Sequence, residues 1–424
     1  MTRSRVDVEE ASAHMLADVG PLGVERMMLS ESLGRVLAAD VVASVSLPPW
    51  DNASMDGFAV HADDVRGATA EHPAVLRVIE TIAAGQRPTR PVAMGEAARI
   101  MTGAAVPAGA DSVVRVEDSG PSSDAGMVTI VDDRDVLRNV RRRGEDVIEG
   151  ARVLSAGTLI GPAHVGVLAS LGEVQPSVYR RPRVAILATG DELVELDGFR
   201  AVRAGERIVS SNSYSIAAAV RAAGGEPVSL GVVPDDPRAI AERLQTARGC
   251  DMILTSGGVS VGDYDHVRRV IVSLGGEISL WRVRMRPGAP LAFGRLFGVP
   301  WFGLPGNPVS ALVTFELFAR PLLRVLGGHR RPHRRTIRVV LDEEVRLAAP
   351  LTHYLRATLA DGADGTLHAR LTGAQSSGML TSMSNADALL ILPPEPMIAT
   401  AGSIVRAIPL DGDLGGTDRF PGSS

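Results

Sequence analysis

The sequence has no lysine, one cysteine and few aromatic residues, and each scarcity excludes a class of protein. All 44 basic residues are arginine, which excludes a Walker A phosphate-binding loop because that loop ends in Gly-Lys-Ser/Thr. Cys250 alone cannot form an intrachain disulfide or a cysteine-based zinc site. Aromatic residues make up 4% of the chain, against 45 glycines and 27 prolines. This balance favours several small, turn-rich modules over one large aromatic core.

Long hydrophobic runs and a strong charge bias are also missing. No apolar stretch approaches the length of a membrane span, and acidic residues occupy the N-terminal segment where a secretory leader needs an apolar run. A net charge of −5 gives no general reason to expect nucleic-acid binding. Hydrophobic residues make up 45% of the 424 residues, as in folded proteins. We therefore expect a cytoplasmic protein of several domains that binds neither nucleic acid nor membrane.

Hydrophobic periodicity changes several times along the chain. Residues 55–143 contain short β-rich runs between Gly, Pro and Asp turns, which predicts a small β domain. Helical patterns flank this domain over residues 6–19, Ser30–Leu37 and Ala163–Leu171. Residues 334–409 return to short alternating strands and predict a second β domain of barrel type. The tail, residues 410–424, has the composition of a disordered segment.

Between these regions, strands alternate with helices. The predicted strands are Arg183–Ala188, Pro227–Val233, Asp251–Thr255 and Trp301–Leu304. The predicted helices are Tyr214–Ala223, Pro237–Arg248, Asp263–Leu274 and Pro308–Leu326. Such alternation predicts a parallel α/β sheet with helices on both faces.

Polar and glycine-rich segments follow each predicted strand of this sheet. They are Thr189-Gly190-Asp191-Glu192, Asp235-Asp236, the run from Ser256 to Asp265, and Pro305-Gly306-Asn307-Pro308. Ligands of open parallel sheets bind at the carboxyl ends of the strands. Glycine-rich turns before helices suit phosphate, and the carboxylates suit a divalent cation between them and the phosphate oxygens. An Asp before Pro237 is equally typical of a helix N-cap.

A competing interpretation of the third segment is a serine hydrolase. Gly258-Val259-Ser260-Val261-Gly262 fits the G-x-S-x-G nucleophile elbow and follows a strand. The candidate histidines, however, lie in or beyond the linker at 327–332, and Gly257 lengthens the turn. The phosphate-and-metal interpretation is therefore favoured.

The ordered motifs resemble the molybdopterin molybdenumtransferase (molybdenum insertase) family, which includes bacterial MoeA and the E domains of plant Cnx proteins and gephyrin. The resemblance is carried by SMDGFA, MTGA, RRGEDV, TGDEL, SSNSY, GGVSVGDYD, MRPGAP and PGNPVS, and it covers about residues 5–409. It implies a MogA-like α/β domain, an inserted β domain, an elongated discontinuous domain and a C-terminal β domain. The corresponding ranges are 1–47 with 144–178 for the elongated domain, 48–143 for the inserted domain, 179–327 for the α/β domain, and 330–409 for the C-terminal domain.

The resemblance also implies an activity and an assembly. Such proteins take adenylylated molybdopterin and molybdate and, with Mg²⁺, release AMP and place molybdenum on the dithiolene. They act as homodimers whose active site is shared between subunits. Molybdopterin adenylyltransferase and molybdenum-enzyme apoproteins are the further partners that this role would require.

Site residues follow from the matching motif positions. The implied catalytic residues are Asp56 and Thr102 from the partner subunit, with Glu192, Asp236 and Asp263, the last three also holding the metal. The implied pterin and phosphate positions are Thr189, Gly190, Asp191, Ser211, Asn212, Ser256, Gly257, Gly258, Ser260, Gly262, Asp265, Pro305, Gly306, Asn307 and Pro308. The implied molybdate positions are Arg286, Ser310, Arg356 and Ser377, whose guanidinium and hydroxyl groups suit a tetrahedral oxyanion.

One position departs from the family pattern. Many members read Lys-Pro-Gly-Lys-Pro where this chain has Arg286-Pro287-Gly288-Ala289-Pro290. Ala289 removes a positive charge, which favours as an alternative a non-catalytic carrier or scaffold that binds molybdopterin or molybdate without turnover. The intact acidic set favours the enzyme.

Overall fold

The computed structural model describes residues 3–121, 125–257, 266–362 and 365–410. It confirms a multidomain α/β plus β architecture, with one large mixed sheet, one inserted β sheet and one C-terminal barrel. Among the described residues, no helix is long and apolar enough to cross a membrane.

The large sheet has seven strands. In spatial order they are Arg3–Val6, Glu277–Val283, Ala292–Leu296, Val299–Leu304, Met252–Ser256, Arg183–Thr189 and Glu226–Val233. The four strands predicted from sequence lie side by side and are parallel. The other three were not predicted, and Ala292–Leu296 pairs antiparallel with both of its neighbours.

Helices cover both faces of this sheet because the side chains of its buried strands alternate. Val184 and Ile186 pack in one hydrophobic cluster, whereas Ala185 and Leu187 pack in another. The helices on the first face are Val8–Leu16, Ser211–Ala222, Pro308–Thr314 and Arg320–Leu326, with the π-helical turn Phe315–Ala319 between the last two. The helices on the second face are Pro237–Gln245 and His266–Ser273.

The predicted helix Pro308–Leu326 is therefore one run with a π-helical interruption. Pro321 has no backbone N–H to donate to the preceding turn. The Thr314 hydroxyl also donates to the carbonyls of Ser310 and Ala311. Both features disturb the regular hydrogen-bond ladder around the interruption.

The inserted domain contains a six-stranded sheet. In spatial order its strands are Ser112–Arg115, Gly57–Val60, Glu96–Ile100, Ala74–Ile82, Met127–Ile130 and Ser119–Pro121. Three short two-stranded ladders lie outside this sheet, one in the inserted domain and two in the elongated part of the molecule. They pair Asn52–Ala53 with Val140–Arg141, Val41–Val42 with Arg152–Leu154, and Val24–Arg26 with Ser177–Tyr179. The helix Pro162–Ser170 completes the elongated part.

The predicted helix Ser30–Leu37 is wrong. Only a 3-10 turn, Leu29–Glu31, forms there. Val36 and Leu37 instead make isolated β-bridges to Leu159 and Val178. Tertiary pairing with the second half of this discontinuous region therefore overrides a weak helical pattern.

The C-terminal domain is a closed barrel. Its strands, in order, are Thr352–Asp361, Leu367–Leu371, Ile337–Leu341, Ile404–Pro409 and Ala388–Leu392, and the last pairs with the first. The short strand Met285–Arg286, which follows the α/β sheet, pairs in parallel with Thr352 and His353. This pairing joins the barrel to the α/β domain beside the carboxyl ends of the parallel strands.

Candidate functional site

The strand ends predicted to bind a ligand line one cavity of about 1380 Å³ between the α/β domain and the barrel. The predicted site residues along its walls are Thr189, Glu192, Ser211, Asn212, Ser256, Gly257, Arg286, Pro305, Gly306, Asn307, Pro308, Ser310, Arg356 and Ser377. These predicted residues therefore lie together on the wall of one cavity. Whether each residue performs its predicted role stays a prediction.

Glycines allow the strand ends to approach each other closely. Gly257 has φ +93°, and a Cβ atom there would lie 2.4 Å from the Thr189 carbonyl oxygen. A Cβ atom on Gly306 would lie 3.8 Å from the Cα atom of Gly257. The loops after three strands thus meet backbone against backbone, which any side chain at position 257 would prevent.

Asn212 connects the same loops. Its Nδ2 donates to Ser256 Oγ and to the Gly306 carbonyl, both at 2.8 Å. Its Oδ1 is buried without a hydrogen-bond partner in the described part of the chain. A buried amide oxygen without a donor is costly, so this atom is available to a ligand or cation.

Asp235 and Asp236 differ sharply although they are adjacent. The exposed Asp236 accepts a hydrogen bond from the Ala239 backbone N–H at 2.8 Å and caps the helix Pro237–Gln245. Asp235 lines the cavity, and its Oδ1 is buried without a hydrogen-bond partner among the described residues. Sequence reasoning placed Asp236 in the site, whereas the structure brings Asp235 there.

Burial raises the pKa of Asp235, and the nearby carboxylates of Asp191 and Glu192 raise it further. The Thr189 hydroxyl and His266 act in the opposite direction. Thr189 Oγ1 is itself buried with no partner of good hydrogen-bond geometry in the described ranges. A carboxylate held in this way gains from a cation that neutralises it.

Glu192 supplies the second carboxylate of the cavity wall. Its carboxylate lies over Gly190, so closely that a Cβ atom on Gly190 would be 2.8 Å from Glu192 Oε1. Asp191 accepts a hydrogen bond from the Asp235 backbone N–H at 3.1 Å instead of lining the cavity.

These groups suit Mg²⁺ in kind, since they are oxygen donors only. Within the described ranges no group of three or more His, Cys, Asp or Glu side chains forms a ready metal site. Gly258, Ser260, Gly262, Asp263 and Asp265 lie outside the described residues. Their predicted roles, including the hydrolase role of Ser260, stay predictions.

The predicted oxyanion residues lie between the two domains. The exposed Arg286 makes no hydrogen bond or ion pair with the described part of the chain. Ser310 is buried in the first turn of its helix, and Ser377 Oγ accepts a hydrogen bond from Asn307 Nδ2 at 2.9 Å. Ala289 contributes only a methyl group to the wall.

Arg356 is completely buried. Its guanidinium donates to the carbonyls of Ala374, Gln375 and Ser376 at 3.0–3.4 Å and to Ser382 Oγ at 3.1 Å. The Gln375 amide in turn bonds both the N–H and the carbonyl of Arg356. Arg356 thereby fixes the loop that carries Ser377.

Asp56 and Thr102 lie together on the inserted domain, outside the cavity of their own chain. Asp56 Oδ1 accepts from the Thr102 hydroxyl at 2.6 Å and from its backbone N–H at 2.7 Å. These bonds, the hydroxyl's first, lower the pKa of Asp56. The pair is therefore a preformed, exposed anionic group.

Comparison with known proteins identifies the family. Residues 6–172 match the MoeA N-terminal region (domain I and II), 185–325 a probable molybdopterin binding domain, and 338–410 the MoeA C-terminal region (domain IV). A molybdopterin molybdenumtransferase of Nostoc sp. is 38% identical over 384 residues, 89% of this chain and 86% of the relative. The molybdopterin molybdenumtransferase 2 of Mycobacterium tuberculosis is 38% identical over 95% of this chain and 98% of its own. The chain belongs to the molybdopterin molybdenumtransferase family.

A solved relative shares the whole architecture. The crystal structure of the molybdopterin biosynthesis MoeA protein from Pyrococcus horikoshii superposes with a TM-score of 0.83 at 29% identity, covering 96% of this chain and 100% of that chain. The cavity residues that were not among the predicted site residues include Asp235, His353 and Gln375 of this chain. The Asp-Asp-Pro motif was the signal for Asp235, and Gln375 stands in the same Gln-Ser-Ser-Gly segment as the predicted Ser377. His353 lies in no motif that the sequence analysis used.

Proposed function

We propose that the chain is a transferase of molybdenum cofactor biosynthesis that uses adenylylated molybdopterin and molybdate and releases AMP with Mg²⁺. The observation that carries this proposal is that one cavity contains two sets of polar groups without hydrogen-bond partners or counter-ions among the described residues. Buried oxygen atoms of Asp235, Thr189 and Asn212 lack partners in the described chain, and Arg286 lacks a counter-ion there. The first set suits a cation, and the second suits an anion.

On the α/β side, Asp235, Glu192 and Thr189 would hold Mg²⁺. The ion, when bound, would offset the negative charge of the pyrophosphate as its P–O–P link breaks. The chain positions these oxygen donors on strand-end loops that glycines allow to approach each other closely. Asn212 lies beside them. This preorganisation keeps the donors oriented before the substrate arrives.

On the barrel side, Arg286, Ser310 and Ser377 would bind molybdate as a substrate. Arg286 provides a charged donor with no competing partner in the described chain, and the two hydroxyls can donate to further oxygens. Arg356 would act by holding the Ser377 loop, and its direct contact with molybdate remains a prediction. Arg and Lys differ in shape, so Arg286 gives bidentate contacts where many members have a point charge.

The position of Asp56 supports a homodimer with shared sites. Asp56 and Thr102 are exposed and do not line the cavity of their own chain, so they would act on the cavity of a second subunit. We also infer action in the cytoplasm, alongside a molybdopterin adenylyltransferase and molybdenum-enzyme apoproteins.

A non-catalytic binder is the second candidate, and Ala289 is the observation that favours it. The test is AMP release from adenylylated molybdopterin, with and without molybdate and Mg²⁺. Release that needs both, together with active cofactor, supports the transferase. Tight binding without release supports the carrier, and Ala289→Lys is then the variant that should recover turnover if the missing charge is the cause.

A further inference from the structure

A second group of positive charges lies outside the cavity, where the helix Arg320–Leu326 leads towards the barrel. Arg320 and Arg324 lie one turn apart on this helix, and Arg334 precedes the first barrel strand. Glu316 Oε1 lies 2.6 Å from Arg334 Nε and 3.6 Å from Arg320 Nε. In the described part of the chain, no other carboxylate forms an ion pair with any of the three guanidinium groups. Three positive charges therefore share one negative charge.

This arginine cluster, formed by Arg320, Arg324 and Arg334, is largely shielded from water. The side chain of Arg320 is 11% exposed, and that of Arg334 is 23% exposed. Burial lowers the pKa of Arg320 to about 10; Glu316 opposes this shift, whereas the charges of Arg334 and Arg324 add to it. A guanidinium with such a pKa is still protonated at pH 7. The cluster therefore retains two positive charges that no ion pair within the described ranges offsets.

Two histidines beside the cluster are neutral and do not change this balance. Arg324 Nη2 lies 3.1 Å from His329 Nδ1. A guanidinium only donates, so Nδ1 accepts this bond and the ring proton is on Nε2. Burial and the charges of Arg324 and Arg320 lower the pKa of His329 to about 4. Burial and Arg320 likewise lower the pKa of His333.

The cluster also contains unused hydrogen-bond donors. Arg324 Nε is buried and has no hydrogen-bond partner among the residues that the structure describes. Arg320 Nη1 donates to the Pro332 carbonyl and Arg334 Nε donates to Glu316, but the Nη2 atom of Arg320 and both Nη atoms of Arg334 make no hydrogen bond to the described residues. A buried N–H without a partner costs stability, and a charged donor costs more than a neutral one.

Charge and shape define the partner that is missing. A monoanion would offset one of the two excess charges, whereas a dianion offsets both. The oxygens of a tetrahedral oxyanion match the fixed, planar N–H groups of guanidiniums. We propose that the arginine cluster is a second anion site, which binds a tetrahedral dianion of the sulfate or hydrogenphosphate class through Arg324 Nε and the unengaged Nη groups of Arg320 and Arg334.

A dianion at this place connects two domains. Arg320 and Arg324 belong to the last helix of the α/β domain, whereas Arg334 leads into the barrel strand Ile337–Leu341. The bond from Arg320 Nη1 to the Pro332 carbonyl, at 3.3 Å, already holds the linker against this helix. We therefore expect the bound anion to stabilise the junction between the α/β domain and the barrel.

Calorimetric titration of the full chain tests the site, with sulfate and phosphate as separate probes. Ionic strength is held constant, because salt screens weak binding to exposed charges. Every variant is made in an Arg286→Gln background, which removes the anion donor of the cavity. In this background Arg324→Gln removes the guanidinium with the unpaired Nε, and Arg331→Gln is the matched control at an exposed arginine of the linker. Thermal denaturation in buffer without either probe checks that each protein is folded.

We expect Arg324→Gln to bind the preferred dianion at least about tenfold more weakly than its parent, the worth of a hydrogen bond between charged groups. Arg331→Gln should stay within about twofold of the parent, since exposed charges contribute little. The probe that binds more tightly identifies the ligand. Equal binding by Arg324→Gln and its parent would overturn the site, as would the loss of all binding once Arg286 is replaced.

Crystals of the wild-type protein grown with selenate, a heavier analogue of sulfate, give a test that does not depend on the folding of a variant. We expect an anomalous peak within hydrogen-bond distance of Arg324 Nε. A peak only in the cavity would overturn the site, and a peak at the cluster without calorimetric binding would indicate an adventitious ion only and overturn it as well. None of these assays measures AMP release, so their outcome is independent of the proposed transferase.

Discussion

The two walls of the cavity differ in whether their buried polar groups have hydrogen-bond partners. On the α/β wall, oxygen atoms of Thr189, Asn212 and Asp235 are buried without partners among the described residues. On the barrel wall, Arg356 is more deeply buried, yet its guanidinium is satisfied by three carbonyls and a hydroxyl. Unsatisfied buried groups cost stability, so the polar atoms of the α/β wall are available to bind a ligand. The hydrogen-bonded guanidinium of the barrel wall instead stabilises the fold.

Breaking the satisfied wall should have the largest effect on stability. Arg356→Met leaves the carbonyls of Ala374 and Gln375 without a donor and removes one of the two donors to the Ser376 carbonyl. We expect a loss of about 3–5 kcal/mol, since each buried group left unsatisfied costs about 1–3 kcal/mol. Urea unfolding measures it. Arg346→Met is the matched control, because Arg346 lines the same cavity but is 71% exposed in its ion pair with Glu344. Equal stability of the two variants would contradict the comparison.

Breaking the unsatisfied wall should affect activity instead. Asp235→Asn removes a charged oxygen donor from the cavity, so we expect AMP release to fall by about hundredfold, the usual cost of one transition-state stabilising group. The control is Asp236→Asn, which touches the helix cap and costs about 1 kcal/mol or less of stability. Loss of activity in Asp236→Asn with full activity in Asp235→Asn would reverse the assignment of the two residues.

The same substitution gives a pH test. The pKa of Asp235 is raised in the folded state, so the wild-type metal-free protein gains relative stability when this carboxyl is protonated. That contribution is present below the unfolded pKa and is lost as pH rises through the folded pKa. Asp235→Asn should therefore flatten the fall of the melting temperature between acidic and neutral pH in EDTA. An unchanged slope would mean that the carboxylate is already neutralised within the protein.

Asp235 also shows where sequence reasoning ends. The sequence predicts which strands end in polar residues, and the Asp-Pro pair predicts the helix cap that Asp236 makes. It does not predict that the preceding Asp235 points into the cavity, because that depends on how the loop from residue 189 lies across it. The strands Glu277–Val283 and Ala292–Leu296 were missed for a similar reason, since they are defined by their antiparallel pairing with neighbouring strands rather than by a strong local pattern.

Gly257 tests how closely the unsatisfied wall is packed. In Gly257→Ala the new Cβ atom would meet the Thr189 carbonyl at 2.4 Å, and φ is +93°. We expect a loss of about 2–3 kcal/mol in urea unfolding, combining backbone strain with displacement of the loop. Gly249→Ala is the control, because Gly249 has φ +88° but open space around its Cβ position. It should lose only about 1 kcal/mol. A similar loss in both variants would show that the loops can move apart freely.

The smallest expected effect, a factor of two, addresses whether the α/β wall is completed by a second subunit. Asp56→Asn and Asp235→Asn should each inactivate a homodimer. In a purified heterodimer of the two, one cavity keeps Asp235 and receives a wild-type Asp56, while the other has lost both carboxylates.

If Asp56 acts across subunits, AMP release returns to about half the wild-type rate per dimer, since binding geometry is restored at one site of two. If Asp56 acts on its own chain, each cavity of the heterodimer carries one defect and the rate stays at the homodimer background. Differently tagged chains and two-step purification isolate the heterodimer, and a wild-type pair carrying the same tags sets the reference rate.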